Sequence, residues 1–156
     1  MFTENNPSVC IEDELKKHGT YATNTSGVSM QPLFKTHRDV AVLKSVDRNV
    51  KKYDVVLYTD NAHRYILHRV IGVNADEFVI RGDNTFSKEY VKKDRVIAYL
   101  VSFNRNGKHH SADELGYKLY SRFWNFIYPI RRVKHSVRLA LGKLKRKIFG
   151  GGSRND

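Results

Sequence analysis

The chain has 156 residues, of which 40% are hydrophobic and 12% aromatic, with Cys10 as its single cysteine. This composition is sufficient for one domain with its own core, and a single cysteine excludes an internal disulfide framework. No stretch approaches the roughly eighteen uncharged apolar residues of a membrane span, and the acidic N-terminus does not resemble a secretory signal. We therefore expect a cytoplasmic protein that is peripheral at the membrane.

The net charge of +12 is concentrated at the C-terminal end of the chain. Residues 117–156 carry eleven Lys and Arg against a single acid, Asp156, whereas residues 1–116 carry seventeen bases against fifteen acids. The basic character therefore belongs to the tail, and the first two-thirds has the mixed charge of an ordinary folded domain.

The first hundred residues predict a short helix followed by a small β domain. Pro7–His18 has acids before bases and is followed by Gly19, which is typical of a short helix. Further along, short runs rich in β-branched and aromatic residues are separated by turn residues, which predicts strands. These runs are 21–25, 40–46, 55–58, 65–73, 78–80 and 96–103. We expect a mainly β fold, namely a small curled antiparallel sheet or partial barrel.

The last third predicts a helical tail. Ser111 and Glu114 have the spacing of a capping box, and the apolar residues that follow are three or four positions apart. Pro129 predicts a break near Tyr128, with a second helix beginning at the proline. We expect domain boundaries at 1–108 for the β domain, 109–149 for a basic amphipathic helical extension, and 150–156 for a disordered tail.

Ser29 lies between two backbone constraints. Gly27 can adopt angles that other residues avoid, whereas Pro32 fixes its own φ and favours an extended Gln31. A serine held on such a stiff turn is suited to be a nucleophile, because its oxygen must be positioned before the substrate arrives. The alternative is an ordinary turn, since Gly, Ser and Pro commonly fill turns.

His68 and Asp83 supply the two other side-chain types of a serine-hydrolase site. Strand alternation places Ile66, His68 and Val70 on one face, and histidine readily accepts a proton near neutral pH. The alternatives are a structural histidine in an apolar row and, for Asp83, a plain turn aspartate between Gly82 and Asn84.

Four segments of the chain, in this order, resemble motifs of the type I signal peptidase superfamily. They are Gly27–Pro32, Lys52–Val56, His68–Gly72 and Gly82–Asn84. The resemblance covers about half of the chain and is closest to the Ser-His branch found in archaea, the endoplasmic reticulum and some bacteria. It implies an all-β catalytic core and a serine endopeptidase that removes signal or leader peptides through an acyl-enzyme, without cofactor or metal.

The resemblance also implies roles for individual residues. Ser29 would be the nucleophile and His68 the general base, where most bacterial members have lysine, and Asp83 would orient or balance His68. The Ser29 N–H would form part of the oxyanion hole. Many relatives carry a second serine donor at the position of Gly27, so that Ser26 would have to reach the oxyanion instead. Substrate contacts are expected at Met30 and Pro32, a supporting acid at Glu89, and small substrate residues at the scissile bond.

Two further interpretations compete with the peptidase. One is a non-catalytic β module whose basic helix binds a membrane surface or nucleic acid. The other is a self-cleaving repressor-type relative, which is disfavoured because no helix-turn-helix domain precedes the serine and the base would be lysine. A zinc site is disfavoured because the histidine spacing matches no zinc pattern and no paired cysteines occur.

The tail itself allows three interpretations. Residues 117–149 could lie on an anionic membrane surface, bind nucleic acid, or pack an apolar stripe on the β core. Nucleic acid is disfavoured because no recognised module accompanies the charge. The remaining partners we expect are a peptide or preprotein substrate and, because no N-terminal anchor is visible, an anchoring or export partner. A cytoplasmic active site would then trim leaders before export.

Overall fold

A computed structural model describes residues 11–149, apart from the side chains of residues 144 and 146–149. Within this range the chain forms three α-helices, eight strands and a 3₁₀ turn at Lys93–Arg95. The helices are α1 (Ile11–His18), α2 (Leu115–Phe126) and α3 (Tyr128–Phe149). The strands are β1 (Thr20–Asn24), β2 (Val40–Ser45), β3 (Val55–Thr59), β4 (Tyr65–Val73), β5 (Glu77–Arg81), β6 (Glu89–Lys92), β7 (Val96–Arg105) and β8 (Lys108–Ser111).

The eight strands form one antiparallel sheet in the order β1-β2-β7-β3-β4-β5-β6, with β8 also paired to β7. The long strand β7 pairs with β2 along one edge and with β3 and then β8 along the other. The sheet does not close into a barrel. The predicted mainly β fold with a short N-terminal helix and a helical tail is therefore confirmed.

Most predicted strands lie within a residue or two of the observed ones, and β4 has the predicted bounds. The short strands β6 and β8 were missed. Their sequences, EYVK and KHHS, are mostly polar and show no apolar alternation, so their extended shape comes from pairing with β5 and β7 rather than from a local pattern. Residues 7–10 of the predicted first helix lie outside the described residues.

The sheet carries a hydrophobic cluster on each face. In β3, Val55 and Leu57 belong to one cluster, whereas Val56 and Tyr58 belong to the other, as strand alternation requires. The first cluster also contains Met30 from the serine turn. Both faces of the central strands are therefore buried, and the serine turn is anchored in one of the two cores.

The described residues divide into two compact units that meet between Arg122 and Phe123. The sequence-based boundary at 108/109 differs from this, because β8 and the first part of α2 are grouped with the sheet. The predicted break is present, since α2 ends at Phe126 and α3 begins at Tyr128. Among residues 11–149, no helix is both long and apolar enough to cross a bilayer.

The reciprocal Ser111–Glu114 bond of the predicted capping box is present, but Ser111 is the last residue of β8 and lies four residues before the start of α2, so it is not the N-cap. The Ser111 N–H donates to Glu114 Oε1 at 2.7 Å, and Ser111 Oγ accepts from the Asp113 N–H at 3.1 Å. Satisfying these groups fixes the turn from which α2 starts at Leu115.

Candidate active site

Ser29 lies in a turn that is fastened by hydrogen bonds on several sides. Gly27 has a φ of +80°, in the left-handed region that favours glycine, and its carbonyl accepts from Thr36 Oγ1 at 2.5 Å. The Asn84 N–H donates to the Ser29 carbonyl at 2.7 Å, and Asn84 Nδ2 donates to the Val28 carbonyl at 3.1 Å. The stiff turn predicted around Ser29 is therefore present, and it is held by the Gly82–Asn84 segment.

Gly82 lies against both Ser29 and His68. A methyl group added at Gly82 would be 2.6 Å from the Ser29 carbonyl oxygen and 3.0 Å from His68 Nε2. The segments that carry the serine and the histidine thus meet around this glycine. Among residues 11–149, no hydrogen bond joins Ser29 Oγ to the imidazole. Catalytic hydrogen bonds of unliganded enzymes are commonly long and tighten when substrate binds.

The other ring nitrogen of His68 faces a carboxylate. His68 Nδ1 lies 3.1 Å from Glu89 Oε1 and 3.3 Å from the Tyr58 hydroxyl, which donates to Glu89 Oε2 at 2.7 Å. The hydrogen bond with His68 lowers the pKa of Glu89 and outweighs the opposing effect of burial, with further help from Tyr58. Burial and the adjacent Glu89 carboxylate both raise the pKa of Tyr58, which keeps the hydroxyl protonated as a donor.

Asp83 has a different neighbour from the one that the sequence suggested. Both of its carboxylate oxygens accept from Arg69, at 2.7 Å from Nε and 2.8 Å from Nη2, and both side chains are buried. The carboxylate beside the imidazole is instead Glu89, which the sequence analysis gave only as a supporting acid. The reason is strand alternation, because Arg69 follows His68 in β4 and projects from the opposite face of the sheet.

Helix α2 completes the surroundings of this buried ion pair. Arg69 Nη1 donates to Ser121 Oγ at 2.8 Å and to the Tyr117 hydroxyl at 3.2 Å, and the Tyr120 hydroxyl donates to Asp83 Oδ2 at 3.1 Å. Burial alone would lower the pKa of Arg69, but the charge of Asp83 outweighs it and the pKa is raised. The guanidinium therefore stays charged, and α2 is tied to the strand that carries His68.

A small cavity of about 20 Å³ adjoins Ser29. It is lined by Thr25, Ser26, Gly27, Ser29, Met30, Phe34, Ile66 and Leu67. Ser26 Oγ is buried and has no hydrogen-bond partner within the described part of the chain. Met30 is buried in the wall, whereas Pro32 is exposed and is not among the lining residues. An unpaired buried hydroxyl next to Ser29 is a donor without an acceptor.

Two polar residues of this region were not singled out from the sequence. The turn at 60–63 sets the register of β3 and β4, in which Val56 is opposite His68. Tyr58 is two residues from Val56 and therefore projects from the same face of the sheet as His68, so the turn could have identified it. Arg69 carried a second signal, because a charged residue within an otherwise apolar strand requires a buried partner.

In the part of the chain that the structure describes, no three His, Cys, Asp or Glu side chains are grouped so that they could hold a metal ion. No protein-family model matches the chain, and no curated protein matches it.

Proposed function

We propose that the protein is a serine endopeptidase in which Ser29 is the nucleophile and His68 the general base. The observation that carries the proposal is the contact of one residue, Gly82, with both the Ser29 carbonyl and His68 Nε2. Glu89 lies beside Nδ1, the other nitrogen of the His68 ring. This is the order of groups that a serine, its base and an orienting carboxylate require.

The proton path follows from these contacts. Glu89 accepts a hydrogen bond from the protonated Nδ1 of His68. This leaves Nε2, on the side of Ser29, as the basic nitrogen. Nε2 takes the Ser29 hydroxyl proton while Oγ bonds to the peptide carbonyl carbon. The imidazolium then donates that proton to the leaving amine, and water hydrolyses the ester by the same route. Glu89 stabilises the imidazolium and does not itself take the proton.

The oxyanion would be bound by two donors. One would be the Ser29 backbone N–H, and the other Ser26 Oγ, which is buried without a partner within residues 11–149 beside the same cavity. Donors that are already in place when negative charge develops lower the barrier more than donors that must be recruited. We assign the second donor to Ser26, since Gly27 stands where the motif usually has its second serine and Ser26 directly precedes it.

The substrate we propose is an extended leader or signal peptide with a small residue before the scissile bond. The cavity beside Ser29, of about 20 Å³, is small, which favours a small side chain at this position. The resemblance to signal peptidases supports the same choice. Cleavage of leader peptides at the cytoplasmic face of a membrane, alone or with an anchoring or export partner, agrees with the sequence-based localisation.

The test is labelling with a serine-directed acylating probe. We expect wild type to be labelled and both Ser29→Ala and His68→Ala to lose labelling, whereas Ser87→Ala and His109→Ala, at exposed positions, remain like wild type. Circular dichroism of each variant checks that it is folded. Folded wild type that is not labelled, or equal labelling of Ser29→Ala, would overturn the proposal in favour of a non-catalytic β module.

The peptide preference is measured separately. Peptides that differ only at the residue before the scissile bond should be cleaved with Ala or Gly there and resist cleavage with Leu. A preference for Leu would contradict the small cavity as the binding site of that side chain.

A further inference from the structure

The unit that begins at Phe123 carries a row of exposed apolar side chains. Its members are three or four residues apart, which places those of α2 along one side of that helix and those of α3 along one side of the next. They are Phe123, Phe126, Ile130, Val133, Val137 and Leu141, and their exposed fractions lie between 53% and 80%. This set, called here the apolar row, is larger than the scattered exposed apolar residues of an ordinary surface.

Basic residues flank the apolar row. Residues 123–149 contain eight Lys and Arg and no Asp or Glu. At about 100° per residue, the members of the row in α3 fall within an arc of about 80°. On a helical projection Lys134 and Arg138 border one edge of that arc, whereas Arg132 and Lys143 lie further round the helix, towards the face opposite the row. This segment therefore combines a narrow apolar strip with cations along one edge, further cations around the helix, and no acid.

We propose that this surface binds an anionic lipid bilayer, with the apolar row in the headgroup–acyl boundary and the bases at the phosphates. Such a helix lies in the plane of the interface, where its flanking cations reach anionic headgroups while its apolar strip leaves water. The proposal does not depend on the peptidase activity, since no member of the proposed active site takes part.

Charge complementarity selects this occupant over two others. A second copy packed along the same row would bring eight bases against eight bases without an intervening acid, which is repulsive. Nucleic acid would pair with the bases but would leave the apolar row in water, so it accounts for only half of the pattern. An anionic bilayer covers both parts of the surface.

The chain contains its own reporter for this binding. Trp124, its only tryptophan, adjoins Phe123 in the sequence, and Arg131 lies over its ring at 3.9 Å. Tryptophan is enriched at the membrane interface, where its ring contacts acyl chains and its N–H contacts headgroups. Its fluorescence should therefore shift to shorter wavelength when the surface reaches lipid.

The experiment measures binding of the full chain to two kinds of vesicle. One consists of phosphatidylcholine alone, and the other contains about one-third phosphatidylglycerol. We expect co-sedimentation and a blue-shifted Trp124 emission with the anionic vesicles only, and weaker binding as salt is raised. Ser29→Ala should bind like wild type, which separates this proposal from the proposed peptidase.

Matched variants test the two parts of the surface. Ile130→Ser combined with Val137→Ser should lower the partition coefficient at least about tenfold, because apolar area no longer enters the bilayer. Leu139→Ser is the control, since Leu139 is 53% exposed but lies about opposite the apolar row on α3. Replacing Arg132, Lys134, Arg138 and Lys143 by Gln should lower binding to anionic vesicles by on the order of a hundredfold.

Three results would overturn the proposal. The first is absence of binding to anionic vesicles, including the case in which the row instead forms a dimer or the chain binds duplex DNA. The second is equal binding to neutral and anionic vesicles. The third is the same loss of binding in Leu139→Ser as in the Ile130/Val137 double variant. Unfolding curves of all variants establish that the exposed substitutions leave the fold intact.

Discussion

Glu89 Oε1 lies 3.1 Å from His68 Nδ1, at the end of the ring remote from the nitrogen that Gly82 contacts. Through this contact Glu89, rather than Asp83, is the carboxylate positioned to set the tautomer of His68, the proposed general base. In Glu89→Gln, the amide can donate to Nδ1 and favour a proton on Nε2, where a general base needs a lone pair.

We therefore expect Glu89→Gln to slow probe labelling and peptide cleavage about 10²–10⁴-fold while the protein stays folded. The rate of acylation is the quantity to measure, with Glu77→Gln as the control because Glu77 contacts Asn74 at the far end of β5. Unchanged kinetics in folded Glu89→Gln would show that the carboxylate does not orient His68.

The lowered pKa of Glu89 makes a separate prediction about stability and pH. A carboxyl whose pKa is lower in the folded state than its ordinary value of 4.5 stabilises the fold above that value, and the contribution is lost as pH falls through the lowered pKa. The melting temperature of wild type should therefore exceed that of Glu89→Gln near neutral pH, and the difference should shrink between about pH 5 and pH 3. A melting-temperature difference that grows as the pH falls would contradict a lowered pKa of Glu89.

Asp83 is expected to act on stability through Arg69. Asp83→Asn removes the charge that two guanidinium bonds require and leaves Arg69 buried without its counter-charge. We expect a loss of about 3–5 kcal/mol in the free energy of unfolding, measured in urea. Asp113→Asn is the matched control, because Asp113 is exposed and pairs with Lys118 at the surface.

The same variant separates the two possible roles of Asp83. At a temperature where Asp83→Asn is still folded, its labelling rate should fall far less than that of Glu89→Gln. A larger kinetic effect in Asp83→Asn, with unchanged stability, would instead support the sequence-based assignment of Asp83 as the partner of His68.

The difference between Asp83 and Glu89 shows which parts of the site the sequence could predict. The serine turn and strand β4 follow from local signals, namely Gly27, Pro32 and a run of β-branched residues. The partner of His68 depends on non-local pairing, since Glu89 reaches the ring only because β6 pairs with β5, where Glu89 lies opposite Ile80. The polar sequence of β6 gives no sign of that pairing.

The ion pair and the domain boundary also depend on contacts between distant parts of the chain. His68 and Arg69 are neighbours in sequence but face opposite sides of the sheet, so the motif that follows in Gly82–Asn84 can serve both. The hydrogen bonds that Arg69 donates to Tyr117 and Ser121 tie the first part of α2 to the sheet. These are contacts between distant parts of the chain, and a charge count along the sequence cannot show them.

Ser26→Ala tests the second oxyanion donor. If Ser26 Oγ stabilises the developing charge, kcat should fall about 10²-fold or more while KM changes little, because the interaction is made mainly in the transition state. Stability should not fall, since Ser26 Oγ makes no hydrogen bond within the described residues. Steady-state cleavage of a peptide substrate measures both constants. An unchanged kcat would show that Ser26 is not the second oxyanion donor.

Gly82→Ala tests the contact that carries the proposed function. The added methyl group would be 2.6 Å from the Ser29 carbonyl, a backbone atom that cannot move aside without shifting the serine turn, and 3.0 Å from His68 Nε2. We expect loss of labelling together with about 1–3 kcal/mol of destabilisation, measured by urea unfolding. Gly116→Ala is the control, because a methyl group there meets nothing within 4 Å and alanine favours a helix. A Gly82→Ala protein that is labelled at the wild-type rate would mean that Ser29 and His68 need not meet at this glycine, and the proposed dyad would lose its structural basis.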